Sequence, residues 1–74
     1  MSKTQEVLDK LPKKIYHGIR MLRESYVSFS SDEIRHETKE EARGYLNALE
    51  DFDLVSHTER RLLFTYITLP FGDW

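Results

Sequence analysis

Between Thr38 and Leu69 the apolar positions keep a helical rhythm on both sides of a short acidic turn. This stretch predicts an αα-hairpin, and the rest of the chain is organised to cover it. Its first arm is predicted as part of a helix over 31–51. The inward stripe of that helix is Ile34, Thr38, Ala42, Tyr45 or Leu46, Leu49 and Phe52. A competing start lies at Thr38, where Thr38 and Glu41 fit a capping box, but one continuous helix is the simpler solution. Upstream, Ser30 and Glu33 also fit a capping box, and Phe29 and Ile34 fit the hydrophobic staple that brackets it.

Glu50-Asp51-Phe52-Asp53-Leu54-Val55 ends the first arm, because acids at a helix C-terminus oppose its dipole. Ser56 and Glu59 then fit another capping box, and the second arm runs to about Leu69. Leu62, Leu63, Tyr66, Ile67 and Leu69 are expected inward. A strand competes here, since Leu63-Phe64-Thr65-Tyr66-Ile67-Thr68-Leu69 is rich in strand formers. The cap and the Leu62–Leu63 doublet favour the helix. Pro70 stops it.

The N-terminal part supplies the cover. Leu8, Leu11, Ile15, Ile19, Leu22 and Tyr26 recur at steps of three and four. Pro12 interrupts this stripe by removing a backbone donor and disfavouring helix at Leu11. A short helix near 4–11, with Thr4 as its cap, is therefore followed by a main helix starting at Pro12. Gly18 inside that helix costs about 1 kcal/mol, which a close approach by a neighbouring helix would explain. The predicted fold is all-α: a three-helix bundle, four with the short N-terminal helix, in a single domain over 1–74. Residues 1–3 and 71–74 are expected as flexible tails.

Composition narrows the function classes. The chain has 74 residues and no cysteine, so disulfides, thiol nucleophiles and cysteine metal sites are excluded. A cysteine-free small domain without a signal-like apolar run is expected in a reducing, cytoplasmic setting. No stretch approaches the roughly 20 apolar residues of a membrane span. The net charge of −2 hides an asymmetry. Six Lys/Arg face three acids in residues 1–29, and five face ten in residues 30–74. Mutual attraction within the bundle accounts for this as simply as a charged binding face does.

Motifs that would require a particular chemistry are absent. His36 and Glu40 sit four apart, but a metal needs a third and fourth ligand beyond a lone His57. The acidic groups Glu40–Glu41 and Glu50–Asp51–Asp53 would need a cleft for acid/base catalysis, and a short three-helix bundle has little volume for one. Gly18, Gly44 and Gly72 are isolated, so no loop cradles a phosphate. The expectation is a non-enzymatic protein with no cofactor and no metal.

Two binding classes remain. Tyr16, Phe64, Phe71 and Trp74 are surplus to the inward stripes, and surface aromatics are favoured interface anchors. They are the candidate partner-binding residues, for a protein partner or for a homodimer through the last helix. Alternatively Phe71 and Trp74 fold back to seal the bundle. Lys10, Lys13, Lys14, His17 and Arg20 line one flank of the first helices and are the candidate nucleic-acid-binding residues. Arg60 and Arg61 could join them. The sequence pI of 5.9 weighs against this alternative.

The run Glu41-Ala42-Arg43-Gly44-Tyr45-Leu46, the acidic turn, then Thr58-Glu59-Arg60-Arg61-Leu62-Leu63 and Tyr66-Ile67-Thr68, resembles small uncharacterised proteins of Firmicutes. Many of these are carried on conjugative or phage-like elements. The resemblance covers under half the chain and implies no site residues. It implies a bacterial, cytoplasmic accessory protein of a mobile element and no activity. The expectation of an interaction or regulatory module rests on the surplus aromatics, the small size and the absent catalytic constellations.

Overall fold

A computed structural model describes residues 3–28 and 31–68. These form α1 (Lys3–Lys10), α2 (Lys13–Ser28), α3 (Asp32–Asp51) and α4 (His57–Thr68), with no strand among the described residues. The strand-like interior of the last arm is thus helical. Leu63, Tyr66 and Ile67 are all buried, three and four residues apart, and that spacing decides against a strand, whose faces alternate. Leu69, Pro70, Phe71 and Trp74 lie outside the described residues.

The starts of α2 and α4 have local causes. Leu11 bends the chain after α1, its N–H donating to the Leu8 carbonyl at 3.2 Å. Pro12 sits one residue before α2, and its carbonyl accepts the Tyr16 N–H at 3.0 Å. It needs no donor there, so its missing N–H costs nothing. The α3 N-cap is Ser31, in extended conformation and without a side-chain capping bond. That is one residue later than the Ser30–Glu33 box expects; Ser30 and its staple partner Phe29 lie outside the described residues. α3 is continuous through Thr38, whose hydroxyl donates to the Ile34 carbonyl at 3.0 Å instead of starting a new helix. Ser56 and Glu59 form the expected box. The Ser56 N–H donates to Glu59 Oε1 at 2.8 Å, and the Glu59 N–H donates to Ser56 Oγ at 3.1 Å.

α3 packs along α2 and α4, α2 also packs on α4, and α1 lies against α4. Leu8, Ile19, Leu46, Leu63 and Ile67, at least one from each helix, are the largest fully buried side chains. Burying each stabilises the fold by about 1.5–3 kcal/mol. Val7, Ala42, Leu49, Val55 and Tyr66 complete the buried cluster. The Arg23 guanidinium lies 4.3 Å from the centre of the Tyr66 ring, closing the α2–α4 seam with a cation on an aromatic face. Gly18 marks a close approach: a Cβ there would lie 2.9 Å from Tyr45 Cζ, and closer still to its hydroxyl.

Two expectations need correction. Thr4 is inside the first turn of α1 and 4% exposed, so it is a buried helix residue rather than the cap. Phe52 is not on the inward stripe of α3. It is the C-cap residue, and it is 77% exposed. The helical spacing that places Phe52 inward holds only while the helix lasts, and α3 ends at Asp51.

Candidate functional site

The turn between α3 and α4 is built by its backbone. The Asp53 N–H donates to the Glu50 carbonyl at 3.0 Å, and the Leu54 N–H donates to the Leu49 carbonyl at 2.9 Å. This nested pair is a Schellman ending, which places the residue after the cap in the left-handed region. Here that residue is Asp53, at φ 60°. Glycine or asparagine is usual at such a site, because other residues bring a Cβ too near the carbonyl. The turn sends Val55 into the core, at 5% exposed, and leaves Phe52 and Leu54 outward at 77% and 45%. Asp51 and Asp53 flank Phe52 and are exposed.

An ion-pair cluster braces the base of this tip. The Arg60 Nε–H donates to Glu50 Oε1 at 2.6 Å, and His57 Nδ1 lies 3.4 Å from the same oxygen. The Arg60 hydrogen bond, with help from His57, holds the Glu50 carboxyl below its ordinary value. The Ser56 backbone N–H does the same for Glu59. Glu59 also lies 3.6 Å from Lys10 Nζ, so the capping box of α4 is tied to the end of α1.

A basic groove runs along α4. One cleft of about 340 Å³ is lined by Arg43, Arg60, Arg61, Phe64 and Thr65. A second, of about 320 Å³, shares Arg61 and Thr65 and adds Thr58 and Leu62. Leu62 and Phe64 are half-buried and packed against the core, so they give the groove an apolar floor. Arg43 lies over the Phe64 ring, 5.5 Å from its centre, and pairs with Glu40 at 3.0 Å. Arg61 is exposed and has no ion pair with any described residue.

The candidates from sequence are not brought together in one place. Tyr16 is half-buried against the core, with the Arg20 guanidinium 5.9 Å from its ring centre. Phe64 is half-buried in the groove, and Phe71 and Trp74 lie outside the described residues. On the basic flank, Lys13, Lys14 and His17 are exposed. Lys10 pairs with Glu59, and Arg20 lies 3.9 Å from Glu24. The Tyr16 hydroxyl accepts a hydrogen bond from Arg20, which raises the pKa of that guanidinium further. No group of three or more His, Asp or Glu converges to hold a metal among the described residues, His36 and Glu40 included.

The exposed apolar residues Met21, Val27, Phe52 and Leu54 were not marked by the sequence pattern as surface candidates. Met21 borders a third shallow cleft, of about 300 Å³, between α2 and α3, with Gly18 and Tyr45 in its wall. Burial in that wall pushes the Tyr45 phenol up. Among the described residues no helix is long and apolar enough to cross a membrane. Comparison with protein-family models, curated proteins and solved structures found no match.

Proposed function

We propose that this chain is a small non-enzymatic interaction module, a three-helix bundle built on the α3–α4 hairpin with α1 as a short fourth helix. It acts on a protein partner or on a second copy of itself. The observation that carries this is the α3–α4 tip. A phenylalanine 77% exposed, beside a leucine 45% exposed, is held outward by a braced turn. Exposed aromatics on a fixed backbone are what interface anchors look like, since little entropy is lost when they dock. The two clefts along α4 are shallow, and their polar groups are arginines and threonines, which suits contact with a surface better than turnover of a small substrate. The resemblance to mobile-element proteins of Firmicutes supports a cytoplasmic accessory role.

A photo-crosslinking residue placed at Phe52, with one at exposed Glu37 as the control, tests this in cells. A discrete adduct at Phe52 and none at Glu37 is expected. No adduct at Phe52 would sink the interaction reading. The second reading, nucleic-acid binding, is favoured by exposed Lys13 and Lys14, neither of which has an ion pair among the described residues. It requires binding to DNA or RNA at low salt that weakens with added salt and with Lys13→Glu/Lys14→Glu. Absence of binding at low salt ends it.

A further inference from the structure

The tip and the groove are complementary in both shape class and charge. The tip presents two outward apolar side chains, Phe52 and Leu54, with the exposed Asp51 and Asp53 on either side of Phe52 in the chain. The groove presents an apolar floor, Phe64 and Leu62, beneath a rim of Arg43, Arg60 and Arg61. Within one chain the two are not joined: Phe52 is 77% exposed, and Arg61 has no ion pair with any described residue. Among the described residues both halves of a contact are therefore open on every copy.

Two copies related by a two-fold axis can satisfy both at once. The tip of each faces the groove of the other, so each contact is made twice and the assembly closes. Opposite charge around the rims fixes the register and disfavours tip-to-tip approach, where carboxylates would meet. Arg61 is the cation best suited to the incoming acids. Arg60 is already held by Glu50 at 2.6 Å, and Arg43 by Glu40 at 3.0 Å.

We propose that the chain forms a two-fold dimer in which the Phe52–Leu54 tip of each copy seats in the Arg61 groove of the other. This rests on the interaction-module reading and specifies its partner as a second copy.

Sedimentation equilibrium of the purified full chain, from micromolar to millimolar concentration, tests it. The mass is expected to rise from one chain to two, and association should weaken as salt is added. Phe52→Ala and Arg61→Glu should each weaken dimerisation by roughly tenfold or more. Both sites are exposed, so circular dichroism should show the fold intact. Met21→Ala, at another exposed apolar site, on α2, should leave the dimer unchanged. Asp51→Arg should weaken it, and Asp51→Arg combined with Arg61→Glu should restore it in part, which a general loss of folding would not do. A single-chain mass at the highest concentration overturns the proposal. So does a dimer indifferent to Phe52→Ala and Arg61→Glu, or a charge swap that fails to restore association. A Phe52 crosslink in cells to a protein of different mass, with the purified chain monomeric, overturns the dimer and leaves the interaction-module reading standing.

Discussion

Replacing Asp53 by glycine is expected to stabilise the protein, although it removes a side chain. Asp53 holds φ 60° to complete the α3 ending. A left-handed backbone costs an L-residue about 1–2 kcal/mol, and aspartate sits at the low end because its short polar side chain bonds locally. Its carboxylate also lies just past the negative end of the α3 dipole, beside Asp51, an arrangement unfavourable by about 0.3–1 kcal/mol. Against these gains, glycine frees the unfolded chain by about 0.4–1 kcal/mol. The balance is a net gain of about 1 kcal/mol for Asp53→Gly. Asp53→Asn removes the charge and keeps the tolerance for this conformation, so about 0.5 kcal/mol is expected. Asp53→Ala removes the charge but loses the local bonding, and should change little. Urea unfolding followed by circular dichroism ranks the three, with m unchanged. For a domain of this size about 1 kcal/mol appears as about 4–8 °C in Tm. If glycine is no more stable than alanine, the left-handed ending does not form in solution, and the outward setting of Phe52 loses its cause.

The other predictions follow from single contacts. Ser56→Ala removes the acceptor of the Glu59 N–H and should cost about 1 kcal/mol by thermal or urea unfolding. Gly44→Ala should add about 1 kcal/mol, because the new methyl meets open space; Gly18→Ala should instead destabilise, and Tyr45→Ala in the same chain should remove that penalty. Leu46→Ala, at a fully buried site, should cost about 2–5 kcal/mol. Glu50 and Glu59 both have lowered folded-state pKa values, so their stabilisation is present above the ordinary glutamate value of 4.5 and is lost as pH falls below it. Urea midpoints measured across that range should drop, and Glu50→Gln should flatten the drop.

Local signals in the sequence translated well into structure. The Ser56–Glu59 box and the break at Pro12 depend on residues within four positions of each other, so the pattern alone locates them. The choice between helix and strand over Leu63–Thr68 was settled by neighbours in space, since burial of Leu63, Tyr66 and Ile67 needs other helices around them. Phe52 was misplaced for a different reason. The acidic run marks the end of α3, but its turn uses aspartate where glycine is the usual marker, so nothing along the chain shows the residue after the helix turning outward, and the inward stripe runs one step too far. The groove was illegible because Arg43 and Arg61 come from different helices. Only the α3–α4 packing makes them neighbours, and no spacing rule along the chain records it.

The attachment of α1 has a consequence for how the molecule opens. An eight-residue helix does not persist alone in water, so α1 exists only while docked. Its anchors are Val7 and Leu8 in the core and the Lys10–Glu59 pair at its end, and its packing is chiefly on α4. Release of this one segment is expected to cost less than global unfolding, because α2, α3 and α4 also pack on one another. The amide hydrogens of α1 should therefore exchange with solvent ahead of those in α3, as a separate unit at the low end of the stability scale. In that open form the apolar side chains of α4 that α1 shields become a strip of new surface, exposed and withdrawn by a motion confined to the first dozen residues of the chain.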